Sequence, residues 1–152
     1  MNAVLSKIIE LVQNHEFYKA EQELNSLYKA NANSYDINKL LGIALIAQKK
    51  YNGALKCFEK CYEIKQNDYE VILNISYLFL KTQFYQQSIE FSNEAIKLDA
   101  DKPGAYQNLA SCFFFLNTCV EPSSVTTSIT IFSIATPVLS SYISAYAAPC
   151  MK

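Results

Sequence analysis

Apolar residues recur every third or fourth position along most of this chain, the period of a helix with one buried face. Ile37, Leu41 and Leu45 fall on one stripe, and Leu55, Phe58 and Tyr62 fall on another. The spacing predicts helices near 3–14, 17–31, 36–49, 52–65, 70–82, 85–98 and 104–116. The polar stretches 31–34 and 66–68 are short, as the connections between close-packed neighbouring helices must be. Asp36 and Pro103 stand where a helix start favours an N-cap oxygen or a preset φ. The pattern predicts an all-α chain.

The helical pattern also repeats. Shifted by 34 residues, the block at 51–68 lies over 85–101, and 17–33 lies over both. An aromatic opens each block (Phe17, Tyr51, Tyr85), and a small residue follows three positions later (Ala20, Ala54, Ser88). Leu24, Phe58 and Ser92 come next, then Leu27, Cys61 and Ala95. The preceding half-blocks 40–45, 74–79 and 108–113 align as well. A period of this length marks a helix–turn–helix unit that cannot bury its stripe alone and must stack on copies of itself. Small residues at fixed positions let the two backbones approach, and aromatics fill the space beside them.

These residues resemble the tetratricopeptide repeat. The second unit supplies Leu41, Gly42, Leu45, Tyr51, Ala54, Phe58 and Cys61, and the third supplies Ile72, Ile75, Phe79, Tyr85 and Ala95. The fourth opens with Ala105, Tyr106, Asn108, Leu109 and Ala110. The resemblance covers 1–117, with units near 1–34, 35–68 and 69–102 and a partial one at 103–117. It implies a right-handed superhelical solenoid of antiparallel helix pairs, about three and a half units long. The first unit departs from the pattern, because Lys7 stands where Leu is usual. That helix is expected to be a degenerate or capping one.

The same resemblance implies a protein-interaction module that binds a peptide or protein in the groove lined by each unit's first helix. Asn74 and Asn108 occupy one repeat position, at which related arrays hydrogen-bond the main chain of an extended peptide. An amide carries both a donor and an acceptor, which suits that role. Lys39, Tyr77 and Lys81 are expected to project nearby by helical spacing. The bland alternative is that all five are ordinary exposed helix residues. Members that grip a terminal carboxylate use a cluster of Lys, Arg and Asn. Here Leu5, Ile9 and Leu40 stand at three of those places, so that subclass is not expected.

After Asn117 the composition changes. Residues 122–151 hold no charge and no Asn and are crowded with Ser, Thr, Val and Ile. Pro122 falls where Ala20, Ala54 and Ser88 stand, and a proline inside a helix costs about 3 kcal/mol. A second helix for the fourth unit is therefore not expected. Three readings compete for the tail at 118–152. An uncharged membrane anchor at 122–149 is weakened by its hydroxyls and by Pro137. A folded cap would use 128–134 as a strand with no visible partner. The favoured reading is a disordered product of a coding accident, in which 128–134 is an aggregation-prone window.

Composition then narrows the chemistry. A net charge of -1 gives no concentrated positive field for nucleic acid or an anionic membrane. Five cysteines with no CxxC pair do not form a secreted disulfide framework, and the first residues read as an amphipathic helix and not as a signal peptide. A cytoplasmic setting with reduced thiols is expected. Cys57 and Cys61 share a helix face, but His15 is the chain's only histidine, so no zinc set is expected and the pair reads as core. Carboxylate pairs such as Glu59/Glu63 and Glu90/Glu94 read as solvated faces. Gly42, Gly53 and Gly104 form no phosphate loop. Neither a catalytic centre nor a cofactor is expected. Two rival readings stay open. One is the N-terminal array of a larger glycosyltransferase- or sulfotransferase-type enzyme, and the other is a tail-anchored adaptor.

Overall fold

A computed structural model describes residues 2–118. They form seven α-helices: α1 (Asn2–Gln13), α2 (Phe17–Ala30), α3 (Tyr35–Ala47), α4 (Tyr51–Ile64), α5 (Tyr69–Lys81), α6 (Tyr85–Leu98) and α7 (Pro103–Thr118). No strand occurs among the described residues. Each expected helix is present, shifted at its ends by about one or two residues. Consecutive helices pack on one another, and the first helices of neighbouring units also touch, α1 on α3 and α5 on α7. The result is an all-α solenoid of antiparallel pairs. The readings of the tail concern 118–152, of which only Thr118, the last residue of α7, is among the described residues.

The turn inside each pair repeats as faithfully as the helices do. His15, Lys49 and Gln83, spaced by 34, have φ of 60°, 60° and 67°. Each follows a helix end, and the next residue's N–H reaches back to close it: Glu16 to Leu11, Lys50 to Leu45 and Phe84 to Phe79, at 2.8–2.9 Å. This is a left-handed C-terminal closure that satisfies carbonyls the helix leaves open. Glycine normally fills that position, so all three units carry a strained residue there.

Helix starts differ from the expectation in one respect. Asp36 lies inside the first turn of α3, and Ser34 stands at the N-cap. The carboxylate that does cap a helix is Asp68, which accepts from the Glu70 and Val71 N–H groups at the start of α5. Pro103 begins α7 as expected.

Inside the second unit Phe58, fully buried, packs directly against Gly42. A methyl group on Gly42 would stand 2.6 Å from the Phe58 ring. Ala54 is also fully buried. The third unit solves the same contact with different residues: Ser76 for Gly42, Ser88 for Ala54 and Ser92 for Phe58. Losing the ring makes room for the extra side-chain atoms, and their hydroxyls are satisfied internally. Ser76 Oγ donates to the Ser88 carbonyl at 3.1 Å, and Ser88 Oγ donates to the Ser76 carbonyl at 2.8 Å. Ser76 and Ser92 Oγ atoms are 2.6 Å apart. Buried hydroxyls without partners would oppose folding, and these have them.

In the first unit Lys7 is solvent-exposed and pairs with Glu23 at 3.0 Å. Ile8 takes the buried place instead. The core then runs continuously from Ile8 through Leu24, Leu41, Phe58 and Cys61 to Ile75 and Leu78. A second cluster, Ile72, Ala95 and Ala105, seats α7.

Candidate functional site

The side formed by the first helices carries four of the five residues singled out from sequence as one connected stripe. Lys39, on α3, reaches across to the start of α5, with Nζ 2.8 Å from Glu70 Oε2 and 3.5 Å from Asp68 Oδ2. Burial alone would lower its pKa, but the two carboxylates outweigh that and raise it. Asn74 lies one turn further along α5, and its Nδ2 donates to the Glu70 carbonyl at 2.7 Å. Tyr77 and Lys81 follow at i+3 and i+7, which keeps them on the same face. The Lys81 ammonium sits 5.2 Å from the centre of the Tyr77 ring, within cation–π range.

The Lys39 end of the stripe is ordered by Tyr35. Its hydroxyl donates to Asp68 Oδ2 at 2.5 Å, and Lys39 lies 5.8 Å over its ring. Burial and the Asp68 carboxylate both push the Tyr35 hydroxyl well above its usual range. Asp68 is raised by burial, yet the hydrogen bonds from Tyr35 and the Val71 N–H, with Lys39 nearby, leave it below the ordinary carboxylate value. The lysine expected from sequence to meet a ligand is therefore already paired. Any anionic group arriving there competes with two carboxylates of this chain.

Asn108 is placed elsewhere. It is 8% exposed, and its Nδ2 donates to Ser76 Oγ at 3.1 Å and to the Leu73 carbonyl at 3.4 Å. Leu73 and Ser76 lie on the side of α5 that meets α7. With Cys112 Sγ donating to Ser88 Oγ at 3.1 Å, Asn108 fastens α7 to the third unit. The two asparagines share a repeat position but not an environment. Asn74 bonds back into its own helix, whereas Asn108 reaches sideways into hydroxyls that only the third unit has.

Sequence reasoning missed Asp68 and Tyr35. Asp68 had a legible signal, since Asp directly before an apolar-periodic run is a cap signature. Tyr35 had none, because its importance comes from a contact 33 residues away.

The three described cysteines lie in the core. Cys57, Cys61 and Cys112 are buried and free. Burial raises all three thiols, Cys57 to about 11 and Cys61 to about 12. Among the described residues no three His, Cys, Asp or Glu side chains gather as a metal site would require. Among them, too, no helix is long and apolar enough to cross a membrane. His15 is exposed in its turn, with its ring 5.5 Å from that of Phe17.

Comparison with known proteins agrees with the fold. A family model described as tetratricopeptide repeat matches residues 36–68, the second helix pair but for Tyr35. This helix pair is a tetratricopeptide repeat. The solenoid of the chain superposes on MamA from Desulfovibrio magneticus RS-1 with a TM-score of 0.71 at 18% identity, over 75% of this chain and 64% of that one. A second MamA structure, from MSR-1, gives 0.70 at 14% identity over 76% of this chain and 66% of that one. This chain thus spans just under two thirds of either. The tetratricopeptide domain of Arabidopsis OM64 gives 0.68 at 12% identity, over 75% of this chain and 94% of that one. An O-GlcNAc transferase mutant from Thermobaculum terrenum gives 0.66 at 15% identity, over 73% of this chain but 21% of that one. At these identities the likeness is one of fold. No curated protein matches the sequence.

Proposed function

We propose that this tetratricopeptide array is a protein-interaction module that holds an extended peptide segment against the face formed by its first helices. The observation that carries the reading is the stripe Lys39–Asn74–Tyr77–Lys81, which starts from Lys39 on α3 and continues along one side of α5 with polar, aromatic and cationic groups in succession. Asn74 offers an amide to a peptide main chain, and Tyr77 offers a ring of low conformational cost with Lys81 fixed beside it. Asn108 serves the groove by holding α7 alongside α5. No residue is assigned a catalytic role, and no cofactor or metal is invoked. The buried free thiols fit a reducing, cytoplasmic setting.

Selecting peptides from a random library on the immobilised full chain, and then measuring affinities by fluorescence anisotropy, tests the proposal. Asn74→Ala and Tyr77→Ala should each weaken binding about tenfold, the loss of one interfacial hydrogen bond or ring contact. Lys56→Ala, on the exposed side of a second helix, should leave it unchanged. Wild-type affinity in the Asn74→Ala/Tyr77→Ala double variant would refute the assignment. The partial match to an O-GlcNAc transferase supports a second reading, in which the array is the interaction part of a larger glycosyltransferase-type enzyme. Glycosyl transfer encoded by the adjoining nucleotide sequence would favour it.

A further inference from the structure

The stripe along α5 is not electrically uniform. At its start the charges answer one another. Lys39 Nζ lies 2.8 Å from Glu70 Oε2 and 3.5 Å from Asp68 Oδ2, and Lys65 Nζ lies 3.8 Å from the same Asp68 oxygen. Two cations and two carboxylates there leave no net charge. At the other end Lys81 is exposed, and among the described residues it enters no ion pair. Its ammonium rests over the Tyr77 ring, 5.2 Å from the centre. A ring face holds a cation without neutralising it, so Lys81 keeps its charge and its donors for an incoming anion.

Beside Lys81 the face is apolar. Ile9, Ile43 and Tyr77 hold one repeat position on α1, α3 and α5. Ile9 is 42% exposed, and Ile43 and Tyr77 pack, partly buried, against the core. Resting on the groove reading above, we propose that the segment bound here pairs an Asp or Glu side chain with Lys81, two residues from an apolar side chain seated on Tyr77 and Ile43. Helix and strand geometry set that spacing. Tyr77 and Lys81 are four residues apart, about 6 Å along the axis of α5. Alternate residues of an extended peptide are about 6.6 Å apart and point to the same side. The ammonium is a compact point charge that suits one side-chain carboxylate. A terminal carboxylate would find no second free cation, because Lys39 is already engaged. Asp68 and Glu70 at the start of the stripe repel an anion and Lys81 attracts it, which fixes the register of the bound segment.

Peptides selected from a random library on the immobilised full chain, resynthesised with both termini capped, test the pairing by fluorescence anisotropy at low salt. They should carry Asp or Glu two residues from an apolar residue, and replacing that acid by its amide should weaken binding about fivefold. The discrimination should vanish in Lys81→Gln and reverse in Lys81→Glu, which should favour a Lys at that place. Lys56→Glu, the same change of charge on α4, should keep the wild-type preference. Peptides that lose affinity for the Asn74→Ala/Tyr77→Ala variant, yet bind equally as acid and amide, would overturn this inference and leave the groove standing. So would an acid preference unchanged in Lys81→Glu. Binding that disappears when the C-terminus is amidated would overturn it by giving Lys81 a terminal carboxylate. A selection with no binders, or with binders indifferent to Asn74→Ala/Tyr77→Ala, would remove the groove reading and this inference together.

Discussion

Gly42 and Gly53 lie 11 residues apart in the same unit, and the same substitution at each should change stability in opposite directions. A Cβ on Gly42 would meet Phe58 Cε2, Cδ2 and Cζ at 2.6, 2.9 and 3.0 Å. The ring has nowhere to go, because Phe58 is fully buried. Overpacking of this kind costs about 1–3 kcal/mol. The helix gains about 0.5–1 kcal/mol from replacing glycine by alanine. Gly42→Ala should therefore be destabilised by up to about 2.5 kcal/mol net. A Cβ on Gly53 meets only Leu45 Cδ1, at 3.4 Å, so the propensity gain should survive there nearly whole. In urea, where small domains lose about 1–3 kcal/mol per molar, the two midpoints should move apart by roughly 1 M. A double-mutant cycle isolates the cause. Phe58→Leu should recover part of the Gly42→Ala loss, with a coupling of about 0.5 kcal/mol or more. The chain contains a related exchange of its own, since Ser76 takes the Gly42 position where Ser92 takes that of Phe58. If Gly42→Ala proves as stable as Gly53→Ala, or if the cycle is additive, the clash with Phe58 does not limit this interface.

Lys49, with φ of 60°, should accept glycine with a gain of about 1 kcal/mol by thermal or urea denaturation. Lys56→Gly, in the middle of α4, should lose about as much. Asp68 has a lowered folded pKa, so its contribution to stability is present above its ordinary value of 3.8 and is lost as pH falls through the lowered one. Asp68→Asn, which keeps an acceptor for the Glu70 and Val71 N–H groups, should flatten the acid limb of the stability curve below about pH 4. With Cys119→Ser and Cys150→Ser in place, the three buried thiols should resist Ellman's reagent at pH 8 until the chain is unfolded. Prompt reaction of Cys61 would contradict its burial and its raised pKa.

The sequence by itself determined the seven helices and their order, because each carries its own apolar stripe and the 34-residue repeat states the same instruction several times over. It determined the buried places of Ala54, Phe58 and Cys61 for the same reason. A periodic residue meets a periodic neighbour. It also indicated the stripe along α5, since Asn74, Tyr77 and Lys81 share a face by helical spacing alone. What only the tertiary structure decided lies where neighbouring units differ. Lys39 is spent on Asp68 and Glu70 because the following unit happens to begin with carboxylates. Asn108 is drawn inward because Ser76 offers it a buried hydroxyl that neither Gly42 nor Ala110 could supply. Local periodicity fixes which way a side chain leaves its own helix. What it meets there depends on residues about one repeat away, and a period read along the chain cannot report where those residues break the pattern.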